Sequence, residues 1–168
     1  MPAVPACPGR PRVLLYVPGG GFQLESHMLL KQLGGVELAL VLPADSVVSP
    51  WMTAYPLYRV APLGTRARRS RIHTARQFAR NLWQSFRVLR RVRPDYVVCI
   101  GSSICVPGFV VARLMGAPRV YIESITRTDA LSATGLLVER LHLASRFYVQ
   151  WPAQAEGHPA RRYAGCVL

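Results

Sequence analysis

"YVVCIGSSICVPGFVVARLMGAPRVYIES", residues 96–124, decides the fold. YVVCI (96–100) is a continuous apolar run rich in β-branched side chains, the pattern of a strand buried on both faces. GSSI interrupts it, and CVPGFVVARLMG (105–116) reads as a helix opened near Pro107 and closed at Gly116. RVYIES (119–124) is strand-like again. A helix between two buried strands is the crossover that parallel pairing requires.

The alternation continues outward in both directions. RVLLYV (12–17) is a strand, 22–34 a helix that stops at Gly34-Gly35, and VELALVL (36–42) a second strand. Residues 43–65 read as irregular, punctuated by Pro43, Pro50, Pro56 and Pro62, with LYRVA (57–61) a candidate short strand. Ile72 to Arg93 form a strongly amphipathic helix ended by Pro94-Asp95. A helix over 134–143 and a last strand, RFYVQW (146–151), complete the chain. The fold class is therefore α/β, a Rossmann-like parallel sheet flanked by helices. Residues 1–11 read as a disordered tail, and 12–168 as one domain.

Composition narrows the partners. There are 21 basic residues against 8 acidic, a net charge of +13, and Lys31 is the only lysine. Part of an arginine excess can reflect base composition. The remainder calls for an anionic partner: a nucleic acid, an acidic lipid surface or a phosphorylated substrate. No helix-turn-helix, zinc-finger or RNA-binding signature accompanies the charge, so nucleic acid is not expected. Cys7, Cys99, Cys105 and Cys166 form no CxxC pair, which suits a reducing, cytoplasmic setting and no metal site. The proline-rich start lacks the apolar core of a signal peptide, and no apolar run nears the roughly 20 residues that span a bilayer. Any membrane contact is then peripheral.

In a parallel α/β sheet the strand-to-helix turns share the edge where ligands bind. Three such turns are chemically distinctive: PGGGFQLES (18–26), GSSICVPG (101–108) and ESITRTDALSATG (123–135). The first is not a dinucleotide fingerprint. Counting from Gly19 and Gly21, the third glycine position is Leu24, and the acid after the second strand arrives only at Asp45, past a proline. Gly19, Gly20 and Gly21 at a helix start make either a tight turn alone or a cradle for a diphosphate. Glu25 stabilises the helix dipole or contacts a sugar hydroxyl. Glu123 with Arg127 reads as a structural ion pair or as part of the site. SATG (132–135) and QWP (150–152) add polar and aromatic groups on neighbouring turns. On the long helix, at about 100° per residue, Ala75, Phe78, Ala79, Leu82, Trp83, Phe86 and Leu89 share a face. Arg76, Arg80, Arg87 and Arg91 flank it, preceded by Arg66, Arg68, Arg69 and Arg71. That face is either packed in the core or, with its basic flank, laid on an anionic membrane.

The stretch from Pro94 to Pro152 resembles the asparagine-linked glycosylation protein fourteen family and its bacterial exopolysaccharide relatives of the PssD type. The motifs that carry the resemblance are G-x-x-x-C-V-P, G-A-x-x-x-Y-I-E-S-x-x-R, S-x-T-G and F-x-V-Q-W, in that order. RRYAG (161–165) lies in register beyond them. The resemblance implies the N-terminal half of a GT-B glycosyltransferase split over two chains, inverting and independent of metal or resident cofactor. A partner chain supplies the donor half and the UDP-sugar pocket, the sugar being N-acetylglucosamine or another hexose. This half takes a polyprenyl-diphosphate-linked acceptor and works as a peripheral protein on the inner face of the cell membrane.

By position within such a half, Glu25 or Glu123 orients or deprotonates the attacking hydroxyl. Gly19, Gly20, Gly21 and Ser124 lie where the acceptor diphosphate is expected, Arg127 orients Glu123 or contacts the phosphate, and the basic amphipathic segment 66–93, with Arg76, Arg80, Trp83, Phe86 and Arg87, is the candidate membrane contact. One position departs from the family turn S-G-G-H-x-x-E: Phe22 stands where the histidine is expected. Phe cannot exchange a proton. Either the proton chemistry moves to Glu25 or Glu123, or the chain is a non-catalytic membrane scaffold for the donor-binding subunit.

Overall fold

The computed structural model describes residues 9–63 and 71–168. Most of the expected tail, and Arg66, Arg68 and Arg69, lie outside the described residues. The strands are β1 (Arg12–Tyr16), β2 (Glu37–Pro43), β3 (Leu57–Val60), β4 (Tyr96–Ile100), β5 (Arg119–Ile122), β6 (Arg146–Val149) and β7 (Arg161–Tyr163). The helices are α1 (Phe22–Gln32), α2 (Arg71–Val92), α3 (Cys105–Leu114) and α4 (Ala133–Arg140). Short 3-10 turns occupy Pro50–Ala54 and Pro152–Gln154.

All seven strands are parallel, in the order β3-β2-β1-β4-β5-β6-β7. Alternation along each strand divides the core into two layers. Leu14, Tyr16, Val97, Cys99 and Tyr121 join the layer that holds Leu89 of α2, Phe109 of α3 and Val138 of α4. Val13, Leu15, Leu40, Val98 and Ile122 join the opposite layer, with Leu29 and Leu30 of α1 and Met52. On that second face residues 164–167, not a helix, border β4–β6, leaving an apolar cleft of about 390 Å³ beside Leu29, Leu33, Val98 and Val120.

Strand order reverses between β1 and β4. β1 leads into α1 on one face and β4 into α3 on the other, so the chain diverges there and opens a crevice at the carboxyl ends of the strands. The glycine turn and the Gly101 turn are the two lips of that crevice.

Two readings from sequence need correction. RRY (161–163) forms an edge strand, and RFYVQW ends as a strand at Val149, freeing Gln150 and Trp151 to turn. Arg161 also makes a bidentate pair with Glu139, at 2.6 and 3.0 Å, tying β7 to α4. For α2 the sequence left two readings open, core packing or membrane contact. Its aromatic face is not in the core: Trp83 is 58% exposed, Phe86 41% and Phe78 37%, and of the proposed face only Leu89 is fully buried. The buried side carries Asn81, Ser85, Val88, Leu89 and Val92.

Hydrogen bonds explain this roll of the helix. The Tyr16 hydroxyl donates to Ser85 Oγ (3.0 Å), Ser85 donates to Asn81 Oδ1 (3.0 Å), and Asn81 Nδ2 donates to the Ala61 carbonyl (2.7 Å). Gln84 accepts from the Ala61 amide at 2.7 Å. Burial of these polar groups is tolerated because each has a partner, and it turns the aromatic stripe toward solvent.

Candidate functional site

One lip of the crevice is the glycine turn. Gly19, Gly20 and Gly21 are exposed, and Gly20 has φ +70°, the left-handed region that glycine enters without steric cost. α1 starts immediately after it with no side-chain cap. The Gln23, Leu24 and Glu25 amides are taken by the Gly20 and Gly21 carbonyls, which leaves the exposed backbone of the glycine turn and the positive dipole end at the opening. Phe22 is packed sideways: its ring lies over Gly101, which has φ +59°, where any side chain would collide with the ring. The residue at the histidine position thus acts as packing across the strand-order reversal.

The far wall is the loop 123–132, held by two buried carboxylates. Glu25 is 4% exposed and Glu123 is fully buried. Glu25 Oε1 accepts from Ser124 Oγ (2.7 Å); its Oε2 accepts from the Ile125 amide (3.1 Å) and Gln150 Nε2 (2.9 Å). Glu123 Oε1 accepts from the Ser124 amide, and its Oε2 from the amide and hydroxyl of Ser132, all at 3.0 Å. Ser124 therefore bridges the two acids, its hydroxyl to one and its amide to the other. Gln150 bridges them again, through the Glu123 carbonyl at 2.8 Å, and its Oε1 accepts from the Val167 amide at 3.0 Å. Burial holds the Glu123 carboxyl above the usual glutamate range, against the opposing pull of these hydrogen bonds.

The near wall is the turn Pro43–Ser46, closed by Ser46 N–H to the Pro43 carbonyl at 3.1 Å. Arg59 donates to the Pro43 and Ser46 carbonyls at 2.8 and 2.7 Å, and Gln23 of α1 donates to Val47 at 3.0 Å. A side chain placed on Gly19 would sit 3.3 Å from Ser46 Oγ, so this turn and the glycine turn touch.

Comparison with known proteins locates this arrangement. Residues 52–167 match the family model "Oligosaccharide biosynthesis protein Alg14 like". The chain belongs to the Alg14 family. It is similar to the "UDP-N-acetylglucosamine transferase subunit ALG14" of Homo sapiens, 36% identical over 131 residues, covering 74% of this chain and 59% of that protein. The Rattus norvegicus protein of the same name is 33% identical over 150 residues, covering 86% and 67%. The chain thus spans about three-fifths to two-thirds of these relatives. Among solved structures it is similar to Acinetobacter baumannii MurG, with TM-score 0.68 at 18% identity, covering 84% of this chain and 42% of that one. That likeness shows the Rossmann-like α/β fold.

Within this Alg14-family chain the structure brings together most of the residues singled out from sequence. Gly19–Gly21, Glu25, Glu123 and Ser124 converge on one crevice. Arg127 stands on the same loop, exposed, its carbonyl pinned by Gln154 at 2.7 Å. It is not in a salt bridge with Glu123; the carboxylate is held by amides and hydroxyls instead. Neither Glu25 nor Glu123 has a carboxylate open to solvent, so an acceptor hydroxyl has no direct route to them as they stand. Arg76, Arg80, Trp83, Phe86 and Arg87 lie apart from the crevice on the exposed side of α2, with Arg87 stacked 4.8 Å over Trp83 and Arg90 5.5 Å over Phe86. Ser132 and Gln150 are the anchors that sequence reading placed only as neighbouring polar groups. Their signal was their position in the SATG and QWP motifs.

Proposed function

We propose that this chain is the acceptor-binding, membrane-recruiting half of a two-chain glycosyltransferase. It moves a sugar, N-acetylglucosamine or another hexose, from a UDP-sugar held by a partner chain to a polyprenyl-diphosphate-linked acceptor in surface polysaccharide or glycan assembly. The observation that carries this reading is the open glycine turn at the strand-order reversal of an Alg14-family chain.

The exposed backbone of Gly19–Gly21 at the positive end of α1 and the Arg127 guanidinium take the acceptor diphosphate, as helix N-termini take anions. That leaves the acceptor sugar over the crevice, where the partner's donor half closes upon it. The acceptor hydroxyl attacks the anomeric carbon, and UDP departs from the opposite side. Glu25 and Glu123 are positioning residues: they hold the loop that carries Ser124 and Arg127. No helix among the described residues is long and apolar enough to cross a membrane. The exposed face of α2 serves instead, with arginines on headgroup phosphates and Trp83 and Phe86 in the interface. α2 contains no acidic residue to offset that charge.

Co-sedimentation with vesicles tests both halves of the reading. The chain should bind vesicles containing anionic lipid, and bind more tightly when they carry a polyprenyl-diphosphate-linked sugar. Replacing Trp83 and Phe86 by Ala should weaken binding roughly tenfold or more, from the loss of buried apolar area. Unchanged binding by the double variant would remove the α2 contact. Indifference to the doped acceptor would remove the acceptor site.

A further inference from the structure

The reaction proposed above needs a group to take the proton of the attacking hydroxyl, and Phe22 cannot supply it. We propose that Asp45 is that general base; the assignment rests on the glycosyltransferase reading. All eight acidic residues lie within the described part of the chain, so the choice can be made by inspection. Glu25 and Glu123 are buried acceptors in the loop network. Glu37 opens β2, and Asp95 precedes β4 and accepts from the Arg12 amide, both at the opposite edge of the sheet. Glu139 is paired with Arg161. Glu156 lies beyond Pro152–Gln154, on the segment leading to the edge strand β7. Asp129 is exposed but sits on the far-wall loop and accepts from Thr128 Oγ1 at 3.0 Å.

Asp45 differs from all of these. It occupies the tip of the turn Pro43–Ser46, its side chain is exposed, and Ser46 of the same turn lies beside Gly19, 3.3 Å from where a Cβ on that glycine would sit. Both arms of the turn are fixed: Arg59 grips its carbonyls, and Gln23 of α1 holds the following residues through Val47 and Ser49. A carboxylate on a rigid turn beside the diphosphate cradle can reach a hydroxyl of the first acceptor sugar. The proton passes from that hydroxyl to the Asp45 carboxylate as the oxygen bonds to the anomeric carbon. The bond from that carbon to the UDP oxygen breaks, and the electron pair leaves with UDP.

The turn accepts Asn as readily as Asp, so Asp45→Asn isolates the charge. Measured with the partner chain and a short-chain polyprenyl-diphosphate sugar, this variant should lose roughly a hundredfold in kcat, the scale of general-base catalysis. Its acceptor KM should change little, and the acid limb of its kcat/KM profile should disappear. Asp45→Glu should recover part of the rate, while Glu156→Gln should behave as wild type. Asp45→Asn at the wild-type kcat, or slowed with its acid limb intact, would overturn the assignment while leaving the glycosyltransferase reading in place. Absence of transfer by the wild-type pair would instead overturn that reading, and this assignment with it.

Discussion

Glu25→Ala should lower folding stability by roughly 3–5 kcal/mol, while Glu25→Gln should cost about 1 kcal/mol. The difference follows from what the carboxylate holds. Truncation leaves the Ile125 amide and one Gln150 Nε2 hydrogen without their acceptor, and leaves Ser124 Oγ only Thr126 Oγ1, at 3.0 Å, to donate to. Each buried donor left unpaired costs about 1–3 kcal/mol. Glutamine keeps a carbonyl at the Oε2 position, facing Ile125 and Gln150. Its amide then faces Ser124 Oγ, a hydroxyl that can rotate to accept. Against a typical total of about 5–15 kcal/mol, the alanine loss is a large share. Urea denaturation would measure it. Transfer should fall with it, because the loop bearing Ser124 and Arg127 loses its anchor. An Ala variant as stable as wild type would remove Glu25 from the positioning role assigned to it.

Gly108→Ala should be comparably severe, at roughly 3 kcal/mol or more. Gly108 lies in α3 directly over the Tyr16 ring, and a methyl group there would overlap the phenol hydroxyl. Tyr16 is fully buried, so it cannot swing into solvent. Displacing it breaks the bond to Ser85 and leaves the chain through Asn81 to Ala61 incomplete. The result should be a drop of roughly 10 °C in thermal midpoint for a chain of this size. Tyr16→Phe in the same molecule should recover little, since the ring carbon Cζ still overlaps the added methyl, whereas the smaller Tyr16→Leu should recover part of the loss. Without any such recovery, the collision with Tyr16 would not be the cause.

These two sites also show what a single sequence discloses. The strand runs were legible because fully buried strands of a parallel sheet are continuous in hydrophobicity, as in VVCI at 97–100. β7 was not, because an edge strand pairs by backbone alone and RRY carries no apolar signature. The rotation of α2 was hidden for a different reason. Hydrophobicity leaves the Trp83 and Phe86 face open between core and membrane, and gives no reason to bury Asn81 and Ser85. The observed arrangement is stable because Tyr16 and Ala61, distant in sequence, satisfy those polar groups. At the site, position alone marked Glu25, Glu123 and the glycines. It could not reveal that both carboxylates face inward, since Ser132 and Gln150 reach them only after the loops fold together. Asp45 was visible as an acid in the wrong place for a dinucleotide. Its significance appears once its turn is seen against Gly19.

The central claim is that this chain supplies the acceptor side of a reaction it cannot perform alone. The direct measurement is sugar transfer by membranes holding this chain, the donor-binding partner, or both, with a polyprenyl-diphosphate acceptor and a UDP-sugar. Transfer only when both chains are present is the predicted result, and it would show that Phe22 is compatible with catalysis. A stable complex of the two chains that transfers nothing, across nucleotide sugars and acceptors, would contradict the claim and leave this chain a scaffold.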